Sequence, residues 1–234
     1  MTAMLETHGL EVFYGDFQAL FGIDVAINAG ETVAIIGSNG AGKSSFLNAL
    51  SGLAGSKPDH ILLDGKPVGG TAPFDMVKLG VALVPEGRKL FPSLTVEENL
   101  MIGTHGKTVD RGWNLASIYD MFPILEERRN QMSTTLSGGQ QQMVAIGRGL
   151  MSNPRVLLCD EISLGLSPAV VKDVYAAIEV IKSRDTTVLI VEQDLSAALK
   201  AADRIYCFME GRVSLQGRPG ELSKDAIQNA YFGV

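Results

Sequence analysis

One stretch sets the architecture of this chain: Gly37-Ser38-Asn39-Gly40-Ala41-Gly42-Lys43-Ser44. It matches the pattern G-x-x-x-x-G-K-[ST], in which the glycines let the backbone wrap so closely that successive N–H groups face phosphate oxygens. An apolar stretch suited to a buried strand precedes it at residues 32–36, and residues 43–53 after it have helical spacing. A chance glycine-rich turn would need neither neighbour. The stretch therefore predicts a nucleoside-triphosphate site.

Two side chains of this loop predict its chemistry. Lys43 supplies positive charge to the β- and γ-phosphates, and Ser44 offers a hydroxyl to Mg²⁺. The start of the following helix adds N–H groups that favour anions. The candidate nucleotide-binding residues in this region are Gly37, Ser38, Asn39, Gly40, Ala41, Gly42, Lys43, Ser44 and Ser45.

Strand-like and helical stretches alternate on both sides of the loop. The predicted strands are residues 10–14, 21–27, 32–36, 61–63, 81–84, 156–159, 188–191 and 205–209. The predicted helices are residues 43–53, 115–129 and 140–151 and a further one from residue 168, and a capping box stands at residues 95–98. This alternation predicts an α/β fold with a mixed, largely parallel core sheet.

The middle of the chain changes character and becomes mainly helical. We therefore predict a single domain, residues 1–234, with a nucleotide-binding core at residues 1–86 and 152–234. An N-terminal antiparallel β part belongs to this core, and residues 87–151 form an inserted helical lobe.

The composition excludes several classes of protein. With 46% hydrophobic residues and a net charge of -6, the chain is not disordered. No stretch approaches the roughly 20 unbroken apolar residues that a membrane-spanning helix needs, and we expect no export signal at its start. A pI of about 5.1 argues against a nucleic-acid partner. Cys159 and Cys207 lie in apolar stretches, which predicts buried, reduced thiols, and three scattered histidines argue against a multi-histidine metal site.

Asp160 and Glu161 follow the apolar stretch at residues 156–159. A buried parallel strand delivers its C-terminal residues to the ligand crevice of an α/β sheet. Asp160 would then hold Mg²⁺, and Glu161 would orient and deprotonate the attacking water. A strand that ends in solvated acids is also common, but the phosphate loop favours the catalytic interpretation.

The stretch Leu136-Ser137-Gly138-Gly139-Gln140 stands just before a predicted helix. Two glycines and a serine at a helix N-terminus make an anion site, with Ser137 and the N–H groups as donors. On physical grounds, a glycine loop that merely begins a helix is an equal alternative.

Taken together, the phosphate loop, this LSGGQ stretch and the acidic pair resemble the ATP-binding cassette family over nearly the whole chain. The resemblance implies a P-loop fold of cassette type, the ligands ATP and Mg²⁺, and ATP hydrolysis. It implies head-to-tail pairing, in which Ser137, Gly138, Gly139 and Gln140 contact ATP held by a partner cassette. Tyr14 matches the family's aromatic that stacks on adenine, although an edge-strand aromatic is the alternative.

Three positions are unusual for the wider family. Glu86 replaces the usual Gln and is still able to ligate Mg²⁺ or water. Gln193 replaces the usual His, so it donates a hydrogen bond to the γ-phosphate but carries no imidazolium charge. Ser167 replaces the usual Asp in the loop after the acidic pair.

These departures are similar to one branch of the family, the second ATP-binding subunit of branched-chain amino acid importers. The matching stretches are residues 84–88, 91–100, 163–168 and 191–193, while Ile162 stands where that branch usually has Pro. The resemblance implies a second cassette subunit or second copy, two transmembrane permeases and an extracytoplasmic solute-binding protein. It places the chain peripherally at the cytoplasmic face of the cell membrane, with no nucleic acid.

Other functions stay open at this stage. Urea, short amides and other small solutes fit the sequence as substrates, and the cassette does not encode the direction of transport. A soluble cassette acting on ribosomes or DNA is disfavoured by the acidic charge. A regulatory module that does not hydrolyse ATP is disfavoured by the presence of both Asp160 and Glu161.

Overall fold

Strands and helices alternate along the part of the chain that the computed structural model describes, residues 3–106 and 109–232. In chain order the strands are β1 (Ala3–Tyr14), β2 (Phe17–Asn28), β3 (Thr32–Ile36), β4 (Ile61–Leu63), β5 (Lys66–Pro67), β6 (Val81–Val84), β7 (Val156–Asp160), β8 (Thr187–Glu192), β9 (Arg204–Met209) and β10 (Arg212–Gly217). The α-helices are α1 (Lys43–Leu50), α2 (Pro73–Lys78), α3 (Val96–Ile102), α4 (Leu115–Met121), α5 (Pro123–Glu127), α6 (Gly138–Leu150), α7 (Pro168–Ser183), α8 (Leu195–Ala201) and α9 (Lys224–Phe232).

The larger sheet has the strand order β10-β9-β3-β8-β7-β6. All neighbours from β9 to β6 pair in parallel, and only β10 runs antiparallel to β9. Every residue of β3, β7 and β8 is buried, as expected for strands that are covered on both faces. Cys159 in β7 and Cys207 in β9 are buried free thiols. The predicted α/β fold with a mixed, largely parallel core sheet is confirmed.

The smaller sheet is antiparallel, with the order β2-β1-β4-β5, and confirms the predicted N-terminal β part. Its first two strands pair from Ala3 opposite Asn28 to Tyr14 opposite Phe17. The predictions at residues 10–14 and 21–27 were therefore too short. Glu6 and Asp24 interrupt the apolar pattern, but Glu6 pairs with Ala26 and the pairing resumes after an irregularity at Asp24.

Helices α3 to α6 lie in the chain between the adjacent strands β6 and β7. They share a buried apolar cluster with that side of the sheet, including Leu100, Trp113, Ile118 and Val144. Thr95 caps α3 in the predicted capping box with Glu98. The division of the chain at residues 87 and 151 stays a prediction, and residues 1–2, 107–108 and 233–234 of the predicted domain lie outside the described residues.

Two predicted helices were too long. The stretch 115–129 is not one helix but two, α4 and α5, because Pro123 has no N–H and forces Phe122 out of the helical region (φ -131°, ψ 74°). The helix from Lys43 ends at Leu50 rather than at residue 53, since Gly52 takes a left-handed conformation. The short or polar elements β5, β10, α2, α8 and α9 gave no usable sequence pattern. None of the helices in the described ranges combines the length and the apolar character needed to cross a membrane.

The two sheets are joined at the turn between β9 and β10. The N–H of Phe21 in β2 donates to Gly211 O at 2.9 Å, and the N–H of Gly211 donates to Ala41 O in the phosphate loop at 3.1 Å. Tyr206 of β9 adds a hydroxyl bond to Ala26 O at 3.2 Å. These bonds hold the phosphate loop between the two sheets.

Candidate active site

The phosphate loop connects the buried strand β3 to helix α1 and is closely packed. Gly42 precedes α1 with φ 99°, a conformation that favours glycine. A side chain on it would bring a Cβ to 2.6 Å from Leu20 Cδ2, and one on Gly37 would overlap the carbonyl oxygen of Phe208. The glycines are therefore required both by backbone conformation and by the nearby sheets.

Lys43 lies at the centre of this loop with only 4% of its surface exposed. Its Nζ donates to Gly37 O at 2.8 Å and to Ser38 O at 3.1 Å, and it stands 3.9 Å from Glu161 Oε1. Burial lowers the pKa of Lys43, and the carboxylates of Glu161 and Asp160 oppose that shift. The ammonium group thus joins the loop carbonyls to the acidic pair.

Asp160 ends β7 beside the first turn of α1, where Ser44 Oγ donates to Asp160 Oδ1 at 3.3 Å. Burial raises the pKa of Asp160 to about 6; the Ser44 hydrogen bond opposes this shift, and the charges of Glu161 and Glu86 add to it. A hydroxyl and a carboxylate are oxygen ligands of the kind that Mg²⁺ prefers. Within residues 3–106 and 109–232, no three His, Cys, Asp or Glu side chains converge as a metal site. Ser44 and Asp160 therefore fit a Mg²⁺ ion whose remaining ligands are oxygens of the phosphates and of water.

Glu161 is held on both its backbone and its carboxylate. Its φ is 48°, in the left-handed region, and its N–H donates to Val191 O at 2.9 Å. The Nε2 atom of Gln193 lies 2.7 Å from each carboxylate oxygen of Glu161. The side chain that replaces the family histidine is therefore in direct contact with the predicted base.

A cleft of about 800 Å³ opens over these groups. It brings together the following predicted site residues: Tyr14, Asn39, Gly40, Gly42, Lys43, Ser44, Ser45, Glu86, Glu161 and Gln193. Asp160 lies beneath them through its bond to Ser44. Predicted residues from five separate stretches of the chain thus share one concave surface, which is the usual form of a small-molecule site.

The cleft also contains Phe17 and Gln18, which the sequence analysis missed. Tyr14 is 47% exposed and Phe17 is 70% exposed, on either side of the turn between β1 and β2. The signal was present in the sequence as a second aromatic residue three positions after Tyr14. An exposed aromatic pair at the rim offers a face on which a planar base stacks.

Gly37, Ser38 and Ala41 belong to the same phosphate loop, whereas the predicted residues Ser137, Gly138, Gly139 and Gln140 lie apart from this cleft. Ser137 caps α6 in a capping box with Gln140, accepting from Gln140 N at 3.3 Å while Ser137 N donates to Gln140 Oε1 at 3.0 Å. The predicted helix at residues 140–151 therefore begins earlier, at Gly138. In the described structure the cleft lining contains none of residues 136–140.

A glycine-rich loop on a parallel sheet, a buried lysine and two carboxylates at the end of β7, which is separated from β3 only by β8, define a P-loop nucleotide-binding protein. Residues 20–163 match the ABC transporter family. The chain is 39% identical to the high-affinity branched-chain amino acid transport ATP-binding protein BraG of Pseudomonas aeruginosa, over 98% of this chain and all of that protein. It is 35% identical to the probable branched-chain amino acid transport ATP-binding protein LivF of Archaeoglobus fulgidus, over 94% of each.

A solved structure shows the same fold. A nucleotide-free ATP-binding cassette from an ABC transporter superposes with a TM-score of 0.82 at 26% identity, covering 99% of this chain and 96% of that one. The chain therefore belongs to the ABC transporter family, as an ATP-binding and ATP-hydrolysing subunit. The predicted family, fold and ATPase activity are confirmed, whereas the roles of individual site residues stay predictions.

Proposed function

We propose that this chain hydrolyses ATP to energise the import of branched-chain amino acids through partner permeases. The observation that carries the proposal is the 39% identity to a branched-chain amino acid transport protein along 98% of the chain. A second relative at 35% identity has the same named substrate class. Both favour amino acids over urea or amides, and a transporter over a soluble cassette protein.

The phosphate loop provides the binding step. Its N–H groups and the start of α1 face the phosphates, and Lys43, already buried beside them, adds positive charge. Ser44 and Asp160 would hold Mg²⁺, with Glu86 as a further oxygen donor at the same rim. When bound, Mg²⁺ neutralises part of the triphosphate charge. Tyr14 stacks on the adenine, and Phe17 extends the aromatic surface.

Glu161 carries out the proton transfer. Its carboxylate orients a water molecule and accepts a proton as the water oxygen bonds to the γ-phosphorus. The bond between that phosphorus and the bridging oxygen breaks, and ADP leaves with the bond's electrons. Gln193, 2.7 Å from both carboxylate oxygens, holds Glu161 in place by hydrogen bonding and without adding charge.

A second cassette completes the site. Because Ser137, Gly138, Gly139 and Gln140 lie outside the cleft that contains Lys43, they are available to an ATP molecule bound elsewhere. We propose that they contact ATP on a partner cassette, a different subunit or a second copy, in a head-to-tail dimer. This dimer would act with two permeases and an extracytoplasmic solute-binding protein, at the cytoplasmic face of the membrane and without nucleic acid.

Uptake of labelled substrates by the cell that encodes this chain tests the proposal. We expect deletion of its gene to abolish high-affinity uptake of labelled leucine, isoleucine and valine. The wild-type chain restores uptake and the Glu161→Gln chain does not, while uptake of labelled urea serves as the control. Unchanged leucine uptake after deletion, or selective loss of urea uptake, would contradict the proposed substrate class.

A further inference from the structure

A carboxylate outside the predicted machinery is buried directly behind it. Glu192 is the last residue of β8 and only 1% of its surface is exposed, next to the apolar residues 188–191 of the same strand. A buried carboxylate is costly unless hydrogen bonds compensate for the lost water. The bonds that Glu192 makes therefore indicate what this residue does.

Glu192 binds the loop that follows the acidic pair. Its Oε2 accepts from Ser163 Oγ at 2.7 Å, and its Oε1 accepts from Ser163 N at 3.1 Å. The buried hydroxyl of Tyr175 on α7 makes no hydrogen bond to this carboxylate, so among the described residues Ser163 is its hydrogen-bond partner. Both oxygens of Glu192 thus hold one residue, which lies two positions after Glu161 in the chain.

The neighbours of Glu192 hold Glu161 itself. Val191 O accepts the N–H of Glu161 at 2.9 Å, and Gln193 binds both oxygens of its carboxylate. Three consecutive residues at the end of β8 therefore hold this turn. Val191 binds the Glu161 backbone, Glu192 binds Ser163, and Gln193 binds the Glu161 side chain. Since Glu161 has a left-handed φ of 48°, this turn is strained and depends on such anchors.

We infer that Glu192 is a positioning residue for hydrolysis, which through Ser163 and Gln193 aims the Glu161 carboxylate at the attacking water. The inference rests on the proposed role of Glu161 as the general base. Glu192 itself contacts neither nucleotide nor water in this scheme. Its loss leaves the nucleotide-binding loop unchanged and lets the turn at residues 161–163 shift.

Steady-state kinetics of four variants test this inference: Glu192→Ala, Glu192→Gln, Ser163→Ala and, as an exposed control on α7, Glu179→Gln. We expect Glu192→Ala to lower kcat about tenfold or more, since small misplacements of a catalytic group have effects of this size. KM for ATP with Mg²⁺ should change less than about threefold, because the contacts that bind ATP before the reaction are retained. Glu192→Gln keeps one acceptor oxygen and should recover part of kcat. The control should match the wild type.

The energetic coupling between Glu192 and Gln193 provides a second test, because a general loss of structure would not produce it. If both residues act through Glu161, the double variant Glu192→Ala/Gln193→Ala should lose clearly less kcat than the product of the two single losses. Thermal unfolding of each variant shows whether the protein remains folded. If Glu192→Ala does not fold, the milder Ser163→Ala decides, with the same expected loss in kcat.

Three results would overturn the inference: wild-type kcat in Glu192→Ala or Ser163→Ala, a rise in KM without a fall in kcat, or losses that multiply with Gln193→Ala. All of them require an active wild-type protein. A wild type that binds ATP but does not hydrolyse it, alone or with its partners, would instead contradict the proposed ATPase function. The two failures are therefore distinguishable.

Discussion

Glu161 combines a left-handed backbone, a partly buried carboxylate and two short contacts from Gln193 in one residue. We expect Glu161→Gln to lower kcat by about 100-fold or more, because an amide of the same shape cannot accept the proton from water. ATP affinity should stay within about twofold of the wild type, as Lys43 and the loop are unchanged. Phosphate release and equilibrium ATP binding measure the two effects. The exposed Glu127→Gln is the matched control, and equal turnover in both variants would contradict the role of Glu161.

Lys43 is the residue expected to contribute most charge to ATP binding. Its ammonium is buried and makes charge-assisted bonds to Gly37 O and Ser38 O. We expect Lys43→Ala to weaken ATP binding by about 10- to 100-fold, the range for loss of a hydrogen bond to a charged group. Titration calorimetry with Mg²⁺ and ATP measures this change. Lys66→Ala removes an exposed lysine as the control, and an affinity unchanged in Lys43→Ala would exclude the proposed contact.

The turn between β9 and β10 joins the two sheets, and its geometry predicts a difference between two glycines. Gly211 and Gly30 both have φ 71°, but a Cβ on Gly211 would overlap Ala19 O, whereas one on Gly30 meets nothing within 4 Å. We expect Gly30→Ala to cost about 1–2 kcal/mol for the left-handed backbone alone. Gly211→Ala should cost about 1–3 kcal/mol more, because the sheets must separate. Urea unfolding measures both, and equal losses would contradict this account of the joint.

A carboxylate ties α7 to the core sheet. Asp203 accepts from Lys182 Nζ at 2.7 Å on both oxygens and from Thr32 N at 2.9 Å. Partial burial opposes the shift, but these bonds hold the pKa of Asp203 below its ordinary value. Because the pKa of Asp203 is lower in the folded state, its charge stabilises the fold at pH values above the pKa of an unfolded Asp, about 3.9. This stability is lost as the pH falls through the lower pKa of the folded state.

The Asp203→Asn variant tests this linkage. We expect it to be less stable than the wild type by about 0.5–1 kcal/mol near pH 7, a small effect because the ion pair is partly exposed. The difference should shrink as the pH falls from about 4 towards the lower folded pKa, because the unfolded chain takes up its proton first and the folded carboxylate follows. Urea unfolding from pH 3 to pH 7 measures it, with the exposed Asp173→Asn on α7 as control. A difference that is independent of pH would rule out the ionic contribution.

In the whole molecule, Ser137 lies apart from the nucleotide cleft, which predicts that it acts on ATP bound to a partner cassette. We expect Ser137→Ala to leave ATP affinity of the isolated chain within about twofold of the wild type, since the residue lies outside the lining. Turnover by the assembled dimer should fall about 10-fold or more, through loss of a transition-state contact. Thr135→Ala, an exposed hydroxyl two residues earlier, is the control. A large loss of affinity in the isolated chain would contradict the shared site.

Several features of the site were predictable because they depend on neighbouring residues. The order strand, glycine loop and helix around Lys43 is local, and so is the capping box at Ser137. The helix break at Pro123 was readable from the proline itself, so that error lay in the interpretation and not in the sequence. The aromatic Phe17 was equally visible, but only its position across the turn from Tyr14 shows its relevance.

The sequence alone determined the family, the α/β class and the nucleotide chemistry, because the spacing of glycines, lysine and carboxylates follows from the shape of a phosphate group. Only the tertiary structure decided how Glu161 is held and where Glu192 points. Ser163 and Glu192 are 29 positions apart, and their bond exists because β7 and β8 pair in parallel. No pattern near either residue predicts its contact with the other, so only the folded structure shows that contact. The separation of Ser137 from the cleft was decided in the same way, by packing between distant elements.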